Sequence, residues 1–197
     1  DPTLTTTMKS VGEAMALGRN FTEALQKAMR SLEQKGASFS FKPLSLSEGE
    51  LAELIEKTKV ATTQRIYQVQ QALLAGATVE QLHEATKIDP WFLDQLVLLN
   101  EVAGVVHAKR DNLDPETLKL AKRHGFSDAQ IAEIIGSSED VVRGVRHALG
   151  IRPVFKTVDT CAAEFEAFTP YHYSSYDLED EVAHHEKPSI MILGSGP

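Results

Sequence analysis

Few residues in this chain have the types and spacing that chemistry needs, and the clearest group is the glycine turn near the C-terminal end. Gly194, Ser195 and Gly196 follow an apolar run at residues 189–193. That order is typical of a buried strand that enters a glycine-rich turn. Such a turn binds phosphate where a helix follows it and presents free N–H groups. Since no helix follows within the sequence, the turn alone predicts no phosphate or cofactor site.

Two further groups contain residue types that can bind metal or react, but their arrangement does not favour a site. His184, His185 and Glu186 could suggest a metal site, but adjacent histidines point in different directions on most backbones, and an exposed linker explains them better. Cys161 is the single cysteine, which excludes an internal disulfide and a cysteine zinc site. No histidine or basic cluster lies near it in the sequence, so we expect a small buried hydrophobic side chain. We expect no catalytic residue, metal or cofactor in the chain.

Glu13 is the carboxylate with the least ordinary setting, because its neighbours are small or apolar: Val11, Gly12, Ala14 and Met15. A carboxylate buried among such residues must be hydrogen-bonded, paired with a cation or next to water. Buried ionisable groups are candidates for function. A cap or an ion pair at the end of a domain is the structural alternative, and the sequence leaves both open.

Composition limits the class of protein. The 197 residues carry a net charge of −8, with 42% hydrophobic and 24% charged residues. This balance is ordinary for a globular protein and disfavours attraction to nucleic acid or to an anionic membrane. No apolar run approaches the roughly 20 residues that cross a bilayer. The N-terminal segment is polar and threonine-rich and shows no secretory signal, so we expect a cytoplasmic protein without a membrane partner.

The elements that must position these residues are mostly helical. Apolar side chains recur at three- and four-residue spacing through residues 20–149. Helix starts are marked by two capping boxes and two Asp-Pro pairs: Thr78 with Gln81, Ser127 with Gln130, Asp89-Pro90 and Asp114-Pro115. No heptad persists, which disfavours a coiled coil. We therefore predict a mainly α fold, a compact bundle of about seven short helices.

The helix predicted over residues 91–102 is the most apolar of the chain. Its apolar residues lie on nearly every side, which is typical of a central buried helix or of one that also serves a partner surface. We expect its large side chains, with those of the helix at residues 62–75, to form core or interface: Trp91, Phe92, Leu96 and Leu99.

The C-terminal part changes character after residue 151. Residues 152–160 contain β-branched side chains and a proline without helical spacing, which predicts an extended segment. Residues 164–175 are aromatic-rich and irregular, and residues 177–188 are charged. We expect this third of the chain to be extended and partly irregular.

Residues 114–150 offer an alternative, because the pattern that begins at Ser127 is similar to a DNA-binding helix-turn-helix. Charge argues against it. Six basic residues between 114 and 152 are matched by six acidic ones, and the candidate recognition helix opens with Glu139 and Asp140. These carboxylates would face phosphates and base edges with the wrong sign. We expect no nucleic-acid partner.

Motifs at both ends resemble one enzyme family. MKSVGEAMALGR at residues 8–19 resembles the end of the first ATP-grasp domain of the carbamoyl-phosphate synthase large subunit. The segment that leads to the second half of this enzyme is similar to two stretches here, RPVFKTVDTCAAEF at residues 152–165 and YHYSSY at 171–176. The first strand and glycine turn of that second half are similar to IMILGSGP at 190–197. The helices between, with IDPWFL at 88–93, are similar to the family's oligomerisation domain. The sequence departs from the family pattern at Ala14, at Ser195, and at His184 with His185.

The resemblance implies a division of the chain into four parts. These are the end of the first ATP-grasp domain (1–19), a helical oligomerisation domain (20–151), an extended connector (152–188), and the first strand and turn of the second synthetase half (189–197). Glu13 would line the family's internal tunnel. The helical domain would self-associate and space the two ATP-grasp halves of its own chain.

For the parent enzyme, the resemblance implies a glutamine-dependent ligase. It would make carbamoyl phosphate from bicarbonate, ammonia drawn from glutamine and two ATP, for arginine and pyrimidine synthesis. It would use ATP with Mg or Mn and K, and a small glutaminase subunit. The chain itself would hold neither ATP site and would be inactive alone. A helix-turn-helix nucleic-acid binder and a free-standing enzyme are the alternatives.

Overall fold

The computed structural model describes residues 2–9, 13–32, 37–182, 187–188, 190–192 and 194. Within these residues the fold is mainly α, as expected, with a less regular C-terminal part. Eight helices occur there: α1 (Phe21–Ser31), α2 (Glu48–Thr58), α3 (Arg65–Leu74), α4 (Val79–Thr86), α5 (Pro90–Ala108), α6 (Pro115–Arg123), α7 (Asp128–Ile135) and α8 (Glu139–Ala148). Two strands follow in sequence: β1 (Val154–Thr157) and β2 (His172–Ser175).

The helices begin where the sequence predicts, because side chains satisfy their first N–H groups. The Thr78 hydroxyl accepts the Gln81 N–H at 3.2 Å, and the Gln81 side chain accepts the Thr78 N–H at 2.9 Å. Ser127 and Gln130 repeat this exchange at 3.0 Å in both directions. These contacts satisfy N–H groups that a helix start leaves without partners. The two Asp-Pro starts are confirmed as well, with the carboxylates of Asp89 and Asp114 as caps.

Helix α5 is the central element. It packs against α1, α3, α4, α6 and α7, and its side chains Leu93, Leu99 and Val106 are fully buried. The helix extends beyond the predicted residue 102 because Gly104 stays helical and Val106 enters the core. Burial of a valine offsets the roughly 1 kcal/mol that a glycine costs inside a helix. None of the described helices combines the length and hydropathy needed to cross a membrane.

Helix α1 docks through polar contacts onto the end of α6. The side chains of Asn20, Gln26 and Arg30 donate to the three successive backbone carbonyls of residues 123–125. The last carbonyls of a helix have no partner within that helix. Here another helix, about 100 residues away in sequence, supplies the donors, and the Arg30 charge also suits the negative end of α6.

Gly125 makes this docking possible. Its backbone is left-handed, with φ of +81°, and a Cβ atom there would lie 2.9 Å from the Glu23 Cα atom. A side chain would therefore clash with the α1 backbone as well as strain its own. The absence of a side chain lets α1 approach close enough for its donors to reach the α6 carbonyls.

Three buried charged side chains join α6, α7 and α8. Lys122, Asp128 and Arg146 are each 7% exposed. The Asp128 carboxylate accepts from the Lys122 ammonium at 3.0 Å and from the Arg146 guanidinium at 2.8–3.1 Å. Arg146 also donates to the Ile151 carbonyl at 3.0 Å, and Lys122 to the Phe126 carbonyl at 2.7 Å. Every charge in this ion network therefore has a direct partner.

Burial and pairing act in opposite directions on these groups. Burial raises the pKa of the Asp128 carboxyl, but hydrogen bonds from Arg146 and the charge of Lys122 outweigh it, and the pKa lies below its ordinary value. Burial lowers the pKa of the Lys122 ammonium, and Asp128 only partly offsets that effect. The negative charge of Asp128 is thus the condition for holding two cations inside the fold.

The C-terminal strands form a small antiparallel sheet that rests on the helices. The register pairs Val154 with Ser175 and Thr157 with His172. The sequence predicts the extended β1, whereas β2 lies in the stretch expected to be irregular. Beyond β2, the Tyr176 ring lies under Lys122 and Arg146 of the ion network, at 5.0 and 5.8 Å from the ring centroid.

The ion network predicts a large loss of stability for Asp128→Asn. The substitution leaves two buried cations without a counter-charge, which typically costs about 3–5 kcal/mol. We expect the free energy of unfolding, from urea denaturation at pH 7, to fall by that amount. Asp140→Asn is the matched control, since Asp140 is an exposed partner of Arg143, and its effect should stay within about 0.5 kcal/mol. Equal effects of the two substitutions would contradict the role of Asp128.

The same network predicts acid sensitivity. Because the native pKa of Asp128 is lowered, its contribution is present above the unfolded pKa of about 3.9 and is lost as pH falls through the native value. The difference in unfolding free energy between wild type and Asp128→Asn should be constant from pH 7 to about 5 and shrink below pH ~4. Denaturation curves at each pH measure it. A difference that persists at acid pH would show that the charge is not responsible.

Candidate interface surfaces

The four residues expected in core or interface separate into two pairs. Leu96 and Leu99 belong to α5 and are buried in the core. Trp91 and Phe92, in the first turn of the same helix, are 52% and 44% exposed. The first turn of α5 therefore reaches the surface, while the following turns enter the core.

An aromatic patch forms around this first turn and consists of Phe21, Trp91 and Phe92. The Phe21 ring centroid lies 5.4 Å from that of Trp91 and 5.3 Å from that of Phe92, and the Trp91 and Phe92 centroids are 5.0 Å apart. Tilted and edge-to-face rings at these distances attract one another. Exposed aromatic side chains held in place by such contacts are typical of the central residues of protein interfaces.

An apolar groove of about 430 Å³ adjoins the aromatic patch. Side chains of α1, α3 and α5 line it, including Leu25, Ile66 and Leu96. The N-terminal segment reaches the groove at one residue: the Leu4 N–H donates to the Ala61 carbonyl at 2.6 Å, and Leu4 is part of the groove wall. The groove is thus partly covered by the residues that precede the helices.

Helix α8 carries a second exposed apolar surface, the α8 stripe, made of Val141, Val145 and Leu149. These residues are four apart and lie on one face of the helix. Val142, which is three residues before Val145 and lies beside the stripe on the helix surface, is buried in the core. The sequence places all four valines and leucines on this helix but does not reveal which of them face solvent. No signal in the sequence separates the stripe from Val142, because Val142 and Val145 are three residues apart and both fit one helix face.

The helix-turn-helix alternative finds no support in the geometry. Arg146, which would have to reach phosphate, is buried and bound to Asp128. Glu139 and Asp140 at the start of α8 pair with Arg143 on the same helix. The face that would enter a DNA groove therefore begins with two carboxylates and offers no free guanidinium from Arg146.

Glu13 is exposed in this structure, in an irregular segment before α1. Two of the neighbours that frame it in sequence, Val11 and Gly12, lie outside the described residues. Further along this segment, the Leu17 carbonyl accepts from the Lys27 ammonium at 2.8 Å and the Glu23 carboxylate accepts the Arg19 N–H at 2.7 Å. The surface at Glu13 is open to solvent in the chain as described.

The remaining candidate residues come together in no common site. Cys161 is half-buried in the loop between β1 and β2. His184, His185 and Glu186 lie outside the described residues, as do Ser195 and Gly196 of the glycine turn. Ile190, Met191 and Ile192 are exposed. Among the residues that are described, no three His, Cys, Asp or Glu side chains are grouped closely enough to hold a metal ion.

The helical body of the chain matches a known protein family. Residues 13–150 match the family described as carbamoyl-phosphate synthetase large chain, oligomerisation domain. Proteins named carbamoyl phosphate synthase large chain match the whole chain. The identity is 71% with the protein of Kocuria rhizophila, 71% with that of Arthrobacter sp. (strain FB24) and 72% with that of Pseudarthrobacter chlorophenolicus. The chain spans about 18% of the length of these relatives.

The matched residues include all eight helices, the aromatic patch, the α8 stripe and the ion network. They exclude the two strands. The chain therefore belongs to the carbamoyl-phosphate synthase large-chain family, and its helical body is the oligomerisation domain of that family.

Proposed function

We propose that this chain is the central module of a carbamoyl-phosphate synthase large subunit, which spaces two ATP-grasp halves and carries self-association. In this proposal residues 1–19 end the first ATP-grasp domain and residues 20–151 are the oligomerisation domain. Residues 152–188 are the connector, and residues 189–197 begin the second synthetase half. The match of the family to residues 13–150 supports the helical domain of this division, and it begins within the segment that we assign to the first ATP-grasp domain.

The observation that carries the proposal is that both flanking segments are docked on the helical body at separate elements. The N-terminal segment lies on the groove between α1, α3 and α5 through Leu4. After β2, Tyr176 lies against the ion network of α6, α7 and α8. A spacer needs such anchorage at each end, because a flexible linker would not hold its neighbours at a set distance.

The apolar groove and aromatic patch are the surface that we assign to the first ATP-grasp half. Leu4, which belongs to that half in our division, already occupies the edge of the groove. Trp91 and Phe92 extend the apolar surface outward from the same place. A partner that continues from the N-terminal segment would cover both, and would bury aromatic side chains of the kind that dominate interface energies.

The α8 stripe is the surface that we assign to self-association. Its three apolar residues form a row along one helix, and a symmetric pair of such rows can pack against each other. Helix α8 packs mainly against α7 and takes no part in lining the groove, so both surfaces can be occupied together.

The whole enzyme would perform the chemistry that its family name describes. It would form carbamoyl phosphate from bicarbonate, glutamine-derived ammonia and two ATP, with Mg or Mn and K. A small glutaminase subunit would supply ammonia, in the cytoplasm. The products would serve arginine and pyrimidine synthesis. The chain alone should be inactive, because the residues that bind nucleotide and metal in this family would lie before residue 1 and after residue 197.

The two surface assignments predict different effects for two charged substitutions. In the full-length large subunit, Val145→Asp should place a carboxylate within the α8 stripe and weaken self-association at least about tenfold. Trp91→Asp should leave self-association unchanged and should speed proteolysis of residues 2–19, since it disrupts the surface next to Leu4. Sedimentation velocity over a concentration series and limited proteolysis measure the two effects.

Val105→Asp controls for an added charge at an exposed valine outside both surfaces, near the other end of α5. It should change neither property. The assignment of the stripe fails if Val145→Asp sediments as wild type does. The assignment of the patch fails if Trp91→Asp lowers the sedimenting mass of the large subunit.

Glu13→Gln tests the expected tunnel position of Glu13. In the full-length enzyme it should raise the number of ATP molecules hydrolysed per carbamoyl phosphate formed, because a changed tunnel wall would let intermediates escape to water. Glu53→Gln, at an exposed glutamate of α2, should not change this ratio. Parallel assays of ADP and carbamoyl phosphate give the answer, and an unaltered ratio for Glu13→Gln would remove the tunnel role.

A further inference from the structure

We propose that the cavity between the connector and the helical body binds a doubly charged oxyanion of the phosphate type. This seam cavity has a volume of about 250 Å³. Residues 174–176 form one wall, and side chains of α1, α6, α7 and α8 form the other. It is separate from the apolar groove and from both interface surfaces described above.

The charges around the seam cavity do not balance. Four cationic side chains line it, and two carboxylates, so that the lining carries a net charge of +2. The cations are Lys27, Arg30, Lys122 and Arg146, and the carboxylates are Glu23 and Asp128. A partly enclosed space with an excess of positive charge attracts anions more strongly than an exposed surface does.

Both carboxylates are already engaged by other members of the group. Asp128 accepts from Lys122 and Arg146, as described above. Glu23 is 1% exposed and lies 3.0 Å from the Lys27 ammonium, and its other oxygen accepts the Ser175 hydroxyl at 3.1 Å. The carboxylates therefore stabilise three of the four cations, and the fourth has no carboxylate partner among the described residues.

That fourth cation is Arg30. Its guanidinium donates one hydrogen bond, to the Gly125 carbonyl, and among the described residues no carboxylate lies within 4.0 Å of it. Arg30 is half-buried, and burial lowers the pKa of its guanidinium. A guanidinium has five N–H donors in a planar fork that fits two oxygens of one anion. Arg30 thus offers unused donors at the wall of a positively charged cavity.

The charge and the size favour a dianion such as hydrogen phosphate. A charge of −2 would neutralise the excess of +2, whereas chloride or a single carboxylate would leave half of it. A volume of about 250 Å³ exceeds by several times the roughly 30 Å³ that one water molecule occupies in the liquid, and it accommodates a five-atom oxyanion. The Ser127 hydroxyl in the lining accepts the Gln130 N–H and keeps its own hydrogen for a contact to the anion.

A bound oxyanion would join the connector to the helices. Ser174 and Ser175 belong to β2 and Tyr176 follows it, whereas Arg30 belongs to α1. The anion would bridge these elements, and the backbone amides of residues 174–176 would exchange more slowly in its presence.

Calorimetric titration of inorganic phosphate into the 197-residue chain, at constant ionic strength, tests the site. We expect saturable binding of one phosphate, with sulfate similar and acetate and chloride at least about tenfold weaker. Arg30→Gln should weaken phosphate binding at least about tenfold, the effect of losing a charged hydrogen bond. Arg30→Lys keeps the charge without the fork and should show an intermediate affinity.

Arg143→Gln is the matched control, because Arg143 lies on the exposed side of α8 and pairs with Glu139 and Asp140. It should bind phosphate as wild type does. Circular dichroism identifies any variant that is not folded, and Arg30→Lys then decides in place of Arg30→Gln. Hydrogen exchange of residues 174–176 should slow with phosphate in wild type and in Arg143→Gln, and should not slow in Arg30→Gln. Absent saturation, equal affinity for acetate, or unchanged affinity in both Arg30 variants would overturn the proposal.

Discussion

The arrangement of the helices depends on one buried carboxylate. Asp128 binds both Lys122 and Arg146, and each of these cations also donates to a backbone carbonyl at a turn, Phe126 after α6 and Ile151 after α8. One negative charge thereby sets the positions of three helices and of two turns. Tyr176 then packs on the two cations, so the connector takes its place from the same group. Without Asp128 the cations would have to leave the interior, and the connector would lose its support.

Much of the helical body follows from local rules. The caps at Thr78 and Ser127, and the Asp-Pro starts, are contacts between residues two or three apart, and short-range patterns predict them. The buried middle of α5 follows from its apolar composition. These features are visible in sequence because each is decided by neighbours along the chain.

The rest depends on contacts between distant residues. Asp128 meets Arg146, 18 residues later, and nothing in either segment marks the pair. Strand β2 forms because β1 lies beside it, although its own sequence suggests an irregular stretch. Val142 and Val145 look equivalent in sequence, yet one is buried and the other exposed. Burial on one face of a helix is set by the other helices around it, so spacing alone cannot choose between the faces.

The side-chain caps that α1 supplies to α6 have a consequence for synthesis on the ribosome. Asn20, Gln26 and Arg30 meet their acceptor carbonyls only after about 100 further residues have been added. Until then the polar face of α1 can be satisfied by water alone, and a loop of that length must close before the contact forms. Although α1 precedes the other described helices in the chain, it is therefore among the last of them to reach its native place, and the segment at residues 2–9 can settle beside the groove only afterwards.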